Sequence, residues 1–505
     1  MQLSKAIIAS LKKDLVRSVP SAAQLELPEK VLQFGTGVLL RGLPDYFIDK
    51  ANKQQIFNGR VVVVKSTDAS GADAFEAQNG LYTICVRGLE DGRQVNEYIV
   101  NSAISRVLSA KNQWQQILEV AQSPQLEVII SNTTEMGIVM SEDKITDQPP
   151  ASFPGKLLAV LYERFKAFNG TKKSGLVIIP TELIIDNGRQ LKDIVLKLAA
   201  QNELEAAFIS WLNDANHFCS SLVDRIVPGK LAGADLEQTQ QQLGYTDELM
   251  IMSEVFRLWA IEAPDPRVAE VLSFAKTDPG VVIAPDIEKF RELKLRLLNG
   301  THTLSCALAY LCGFETVKAA MADTDFDAFV TKLSKTELAR AVAGTNISYE
   351  EACKFADAVI ERFKNPFLDH KWLSISFAYT SKMLMRNVPL IKKYYGSGEG
   401  GASSAMALGF AAYLLFMKSD QEGAGYMGSA NGKAYMINDD KAAVLSQKWK
   451  AAANPAAVVT AVLADMGLWN EDLNQVPGFA AAVTQQLQFL TQSSAKAALL
   501  NIIKE

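Results

Sequence analysis

Val61-Val62-Val63-Val64 is the feature that most narrows what this chain can fold into. Four consecutive β-branched residues give a strand that is apolar on both faces and must be covered on both. Val31-Leu32-Gln33-Phe34, Leu126–Ile130 and Leu176–Ile179 are similar short runs, and helical patterns lie between them over 46–53, 110–121 and 155–168. Strands separated by helices pair in parallel, so the first half reads as α/β, a Rossmann-like doubly wound sheet. Gly280–Pro285 is the last run of this kind. From Asp286 onward the spacing turns helical, over 287–311, 326–342, 349–363, 373–385 and 402–417, and no comparable strand run is expected there. The expected organisation is an α/β domain over 1–285 and a mainly α-helical domain over 286–505. Gly396–Gly401 reads as a connector, and Asn431-Gly432 as the turn of a small hairpin.

Composition excludes several classes. Lys plus Arg is 51 against 56 for Asp plus Glu, a net charge of −5, which is not the basic balance of a nucleic-acid binder. A small anionic ligand needs only a few local cations and stays open. The five cysteines, Cys85, Cys219, Cys306, Cys312 and Cys353, are odd in number and lack Cys-x-x-Cys spacing, so reduced core thiols are expected and a thiolate metal site is not. Residues 1–20 carry Lys5, Lys12, Lys13 and Asp14 without a continuous apolar stretch, and 402–417 is too short to span a bilayer. The expectation is a cytoplasmic protein with no membrane segment and no obligatory protein partner.

Gly35-Thr36-Gly37 follows the first strand run and precedes a helix. In a dinucleotide fold the first glycine permits the tight turn and the second lets the backbone approach the pyrophosphate. The third glycine of that pattern is replaced by Leu40, and the same glycines would also serve an ordinary strand–turn–helix corner. If the turn holds a cofactor, Phe34, Gly35, Thr36, Gly37 and Arg41 line it, with Arg41 able to reach a phosphate. Ser66, at the end of the second strand, and Asn132 and Thr133, in Ser131-Asn-Thr-Thr-Glu135, would lie at the carboxyl ends of parallel strands, where ligands bind. An acidic residue directly at the end of the second strand would read a ribose as in NAD enzymes, but Asp68 stands further along, and Lys65 could face the 2′-phosphate of NADP, so cofactor choice stays open at this point.

Lys294, Asn299 and His302 lie within one helical segment, and the chain has only three histidines, His217, His302 and His370. At ~100° per residue, Asn299 falls ~140° and His302 ~80° around from Lys294, all on one side of an α-helix. A lysine whose pKa is lowered by burial can exchange a proton near neutral pH, and Asn and neutral His can polarise an oxygen. A solvated basic helix would show the same spacing.

The order Gly35-x-Gly37-x3-Arg41, Ser131-Asn-Thr-Thr-Glu135, Val223-Asp-Arg-Ile-Val-Pro228, Lys294-x4-Asn299-x2-His302, Arg362-Phe-Lys-Asn365-Pro366 and Lys382-x3-Arg386-x2-Pro389 resembles the polyol-specific long-chain dehydrogenases, the mannitol dehydrogenase family. The resemblance runs from about Val31 to about Pro389 and more weakly beyond. It implies an NAD-dependent, metal-independent oxidoreductase in which Lys294 is the general acid/base and Asn299 and His302 polarise the reacting oxygen. Polyol-type members carry Cys-Asp-Asn where this chain has Thr181-Glu182-Leu183, so an asparagine that helps bind substrate there is Leu183 here. Pro180–Gly188, Phe218–Ile226 and Leu298–His302 are more similar to members that reduce hexuronates. A hexuronate substrate carries a carboxylate, for which His370, Lys382, Arg386 and Arg225 are candidates. Asp224 and Asn187 are candidates for its hydroxyls. A hexitol-oxidising member and a non-catalytic dinucleotide sensor are the rival readings; a sensor would not need Lys294, Asn299 and His302 together.

Overall fold

In the computed structural model the four valines form the strand Arg60–Lys65, and all four are fully buried. Successive side chains of a strand point to opposite faces. Val61 and Val63 accordingly join one hydrophobic cluster, and Val62 and Val64 the other. Burying one such side chain is worth about 1.5–3 kcal/mol, which is why an uninterrupted valine run is stable only in the middle of a covered sheet. The structure describes residues 1–12, 14–66, 72–133 and 137–504. It divides into two units, Met1–Glu90 with Gln94–Ile287, and Asp91–Arg93 with Glu288–Glu505.

The first unit is built on a six-stranded sheet of β1 (Glu29–Phe34), β2 (Arg60–Lys65), β3 (Ile104–Ser109), β4 (Val128–Ser131), β5 (Val177–Pro180) and β6 (His217–Phe218). Its order is β3-β2-β1-β4-β5-β6, with every neighbouring pair parallel. The order reverses direction between β1 and β4, and the crevice at the carboxyl ends there is where such sheets bind ligands. One face is covered by α1 (Val38–Gly42) and α2 (Pro44–Lys53), which bring Leu40, Phe47, Ile48 and Ala51. The other is covered by the helices Trp114–Ala121, Phe153–Ala167, Asn187–Gln201 and Ala206–Ala215.

The first unit also holds strands that periodicity does not announce. Val16–Ser18, Arg93–Asn101, Tyr82–Glu90 and Ile251–Glu254 form a four-stranded sheet, and Ser221–Asp224 and Leu258–Glu262 join Val281–Ala284, the strand expected at Gly280–Pro285, in a three-stranded one. The Tyr82–Glu90 strand buries Thr83, Cys85 and Arg87 among its apolar residues, so it lacks the β-branched signature of β2.

The second unit is mainly helical. The elements that matter are α3 (Glu288–Leu293), a π-helical stretch Lys294–Asn299, α4 (Gly300–Leu311), α5 (Tyr349–Phe363), α6 (Trp372–Ile375), α7 (Tyr379–Arg386) and α8 (Ala405–Phe416). α8 is buried all round except at Leu415 and packs on α4, where Gly409 is required: a Cβ there would lie 2.6 Å from the Leu304 carbonyl oxygen. The start of α8 is capped by the buried Glu337 carboxylate, which accepts from the Ser404 hydroxyl (2.8 Å) and the N–H groups of Ala405 (2.6 Å) and Met406 (2.8 Å).

Three expectations are corrected in this unit. Beyond the hairpin expected at Asn431-Gly432, which forms with φ of 53° and 74°, it contains a third strand, so that Ser419–Glu422, Gly425–Ala430 and Lys433–Met436 make a meander. The helix expected over 373–385 is two helices, broken at Phe377-Ala378 because Ala378 is left-handed (φ 50°, ψ 47°). The helix expected over 287–311 changes to π winding at Lys294–Asn299. Among the described residues no helix is long and apolar enough to cross a membrane, and all five cysteines are free thiols.

Candidate active site

Gly35 ends β1 with φ 126°, a backbone that L side chains rarely adopt, and its N–H donates to the Val64 carbonyl at 3.0 Å. A Cβ on Gly35 would lie 2.9 Å from the Asn132 carbonyl oxygen, so the turn can follow β1 this closely only as glycine. A Cβ on Gly37 would meet nothing within 4 Å, which leaves open space over the turn. Beneath it, the buried Gln33 carboxamide donates to the Gly35 carbonyl (3.4 Å) and to the Asp45 carboxylate (3.3 Å). Asp45 is fully buried, and burial pushes its carboxyl up to about 7 against the opposing pull of Gln33 and Arg41.

The loop after β4 is fixed by a residue the sequence reading passed over as only a departure from pattern. Glu182 is buried and accepts from the Thr133 N–H (2.8 Å) and hydroxyl (3.0 Å) with one oxygen, and from the Ser131 hydroxyl (3.1 Å) with the other. Asn132 donates its carboxamide to the Thr181 carbonyl (3.1 Å) and hydroxyl (3.0 Å), tying the β4 and β5 ends together. The structure thus gathers Phe34, Gly35, Thr36 and Gly37 with Asn132 and Thr133 at the carboxyl edge around the switch point. Ser66 follows β2 at the same edge and is exposed. Asp68, Thr134 and Glu135 lie outside the described residues.

Other candidates are turned inward. Arg41 is buried, donates to the Leu249 carbonyl (2.6 Å) and lies over the Tyr82 ring at 5.4 Å, so its guanidinium ties the interior together rather than facing the glycine turn. Arg225 is buried over the Tyr46 ring (4.5 Å) and donates to the carbonyls of Glu254 (3.0 Å) and Gly42 (2.6 Å); burial lowers its pKa to about 10. Asn187 is fully buried, donates to the carbonyls of Pro180, Glu182 and Ser221, and accepts from the N–H groups of Gly188 and Ser221. Asp224 ends its strand as a buried carboxylate.

In the second unit, the π stretch alters the helix geometry assumed from sequence. An i→i+5 ladder stacks the fifth residue nearly over the first, whereas an α-helix would carry it well past. Asn299 therefore comes back onto the face of Lys294, one α-turn before His302. Both Lys294 and Asn299 are partly buried, and the Asn299 carboxamide makes no hydrogen bond among the described residues.

His302 is sandwiched. Its ring stacks on Phe363 (centroids 4.0 Å apart, planes 8° apart), with His370 edge-on at 5.3 Å and Trp372 at 6.2 Å. Burial, and then the charges of His370, Arg362, Arg386 and Lys382, hold its pKa well below the usual imidazole value, so it is neutral at pH 7. His370 is lowered too, by burial and then by Lys382. Arg386 donates to the Thr303 hydroxyl (3.1 Å), and burial lowers it to about 10. Lys382 donates to the Ile375 carbonyl (2.9 Å) and is lowered by burial and then by Arg386. Neither Lys382 nor Arg386 forms an ion pair among the described residues, although both are half-buried. The structure therefore brings His302 and His370 together with the cations Lys382 and Arg386.

Comparison with known proteins bears on what these groups serve. Residues 29–271 match the mannitol dehydrogenase Rossmann domain and residues 286–491 the mannitol dehydrogenase C-terminal domain. The chain belongs to the mannitol dehydrogenase family. It is an oxidoreductase acting on CH–OH groups. An altronate oxidoreductase of Pectobacterium atrosepticum is 38% identical over 480 residues, covering 94% of this chain and 96% of that protein. One from Bacillus subtilis is 35% identical over 478 residues, covering 94% and 95%. The fold is that of Pseudomonas fluorescens mannitol 2-dehydrogenase, solved as a ternary complex with NAD and D-mannitol (TM-score 0.68, 21% identity, 100% of both chains). A D-sorbitol dehydrogenase in substrate-free form shares it as well (TM-score 0.78, 19% identity, 99% of this chain and 100% of that one). Within this mannitol dehydrogenase family member, Phe363 and Glu182 are the neighbours that sequence reasoning missed. Phe363 lies inside the Arg362-Phe-Lys-Asn365-Pro366 element, but no spacing rule marks a phenylalanine as a stacking partner.

Proposed function

We propose that this enzyme interconverts D-tagaturonate and D-altronate with NAD(H), in hexuronate catabolism in the cytoplasm. The observation that carries the reading is the pair Lys382 and Arg386, two half-buried cations without a carboxylate partner beside neutral His302. A half-buried cation left unpaired costs stability unless a ligand charge completes it. A hexuronate brings that charge, and a hexitol does not. The altronate oxidoreductases at 35–38% identity support the choice of tagaturonate over fructuronate, whose carboxylate would suit the same cations.

The glycine turn fits a dinucleotide: Gly35 makes the turn possible, and the space over Gly37 admits a phosphate to the backbone. Phe34, Thr36, Ser66, Asn132 and Thr133 would border it. When bound, the nicotinamide supplies or accepts the hydride. This chain's own residues do the rest. The Asn299 carboxamide and neutral His302 donate hydrogen bonds to the substrate oxygen as it gains charge, each worth about 2.7–4 kcal/mol of barrier by analogy with other oxyanion donors. Protonated Lys294 then passes its proton to that oxygen, and in oxidation takes it back. His302 must be neutral to polarise without surrendering its own proton, and its burial against Phe363 keeps it so. Since acid and donors are all side chains, activity should survive exhaustive chelation.

Tagaturonate, fructuronate and fructose offered in parallel with NADH, and again with NADPH, test the reading. Preferred turnover of tagaturonate with NADH is the expected result. Equal turnover of fructose would overturn it.

A further inference from the structure

The π winding at Lys294–Asn299 is held from outside its own helix. Such windings are rare and appear mostly as single-turn bulges inside α-helices, frequently at functional sites. Arg296 lies in the middle of this one with its side chain 13% exposed. Its Nε donates to the Glu292 carboxylate at 3.0 Å, and its Nη1 donates to the carbonyls of Met385 and Arg386, the latter at 3.2 Å. These are carbonyls of the last turn of α7, which have no partner within that helix. Asn387 makes the complementary tie, donating from Nδ2 to the Gly300 carbonyl at 3.1 Å, where α winding resumes. A Cβ at Gly300 would stand 3.1 Å from that same Nδ2, so the two segments meet at backbone distance.

One guanidinium thus joins the turn that carries Lys294 and Asn299 to the helix end that carries Lys382 and Arg386. We propose that Arg296 is a positioning residue. It keeps the π turn wound and at the same time caps α7, so that Arg386 stands at a fixed distance from the reacting oxygen. The enzyme would then recognise where the carboxylate lies along the substrate chain, and not only that a carboxylate is present. This inference rests on the reading that Arg386 holds the substrate carboxylate.

The test is a double-mutant cycle on the full-length enzyme with Arg296→Met and Arg386→Met. Alone, Arg296→Met should lower kcat for tagaturonate at least tenfold and raise its KM at least threefold, with the Kd for NADH within twofold of wild type. Added to Arg386→Met, it should raise KM no further than twofold, because the group it positions is already gone. Arg296→Lys, which keeps a donor for the α7 carbonyls, should recover at least a third of kcat. Additive KM effects would overturn the proposal, as would an Arg296→Met enzyme with unchanged kcat. If Arg296→Met does not fold, Arg296→Lys enters the same cycle: a twofold or greater KM shift that vanishes beside Arg386→Met supports the proposal, and one that persists contradicts it. Wild-type turnover of tagaturonate is measured first. Failure there condemns the substrate reading by itself and is thereby distinguished from failure of the role of Arg296.

Discussion

In the proposed mechanism Lys294 moves the proton and His302 polarises the substrate oxygen. His302 is packed against Phe363 and faced by cations, so it stays neutral and keeps one N–H to donate to the substrate oxygen. On this reading proton transfer falls to Lys294. Lys294→Met should cut kcat by at least a hundredfold in both directions, within the range set by losing a general acid, while NADH titrated by fluorescence binds as before. Near-normal turnover would remove Lys294 from the mechanism. A second residue-scale consequence concerns pH. The folded-state pKa of Asp45, about 7, lies above its ordinary value of 3.8, so the folded state holds the proton more tightly than the unfolded one. Its contribution is therefore full below pH 3.8 and is lost as pH rises through 7. Asp45→Asn removes that loss, and its amide oxygen can still accept from Gln33. The variant should melt higher than wild type at pH 8 and show a smaller difference at pH 5. An equal shift at both values would mean that Asp45 does not titrate in this way.

The elements show where sequence patterns carry information and where they lose it. β2 and β4 were legible because β-branched runs buried on both faces leave a mark that survives any neighbour. The Arg93–Asn101 strand was not, because its first half carries the exposed polar residues Arg93, Gln94 and Asn96 and reads as polar loop. The π turn is invisible by nature: i→i+5 winding has no composition of its own, so the sequence placed Lys294, Asn299 and His302 on one side of the helix for a geometry that the chain does not use. The break between α6 and α7 was missed because its left-handed residue is Ala378, where glycine or asparagine would have signalled it. Left-handed backbone costs alanine about 1–2 kcal/mol. Ala378→Asn should recover part of that, about 0.5–1 kcal/mol in urea unfolding at unchanged m-value. Destabilisation would show that the methyl group packs better than the backbone is strained.

At the scale of the whole molecule, the chain carries a net charge of −5, yet its second unit holds His370, Lys382 and Arg386 together around His302, with no carboxylate on the last two among the described residues. On the proposed function, this local positive charge is what a uronate carboxylate would meet and a hexitol would not use. Part of this was readable from sequence: Lys382 and Arg386 stand four apart, neighbours on one helical face. Their lack of acidic partners, and the withdrawal of Arg225 and Arg41 into the interior of the first unit, could come only from the fold. The most direct measurement is the KM for tagaturonate in wild type, Lys382→Met and Arg386→Met, with the KM for NADH followed alongside. Each variant should raise the tagaturonate KM at least tenfold, about 1.4 kcal/mol or more and within the range of a charge-assisted hydrogen bond, and leave the NADH KM within twofold. If both variants bind tagaturonate like wild type, these cations do not hold the carboxylate and the central claim fails.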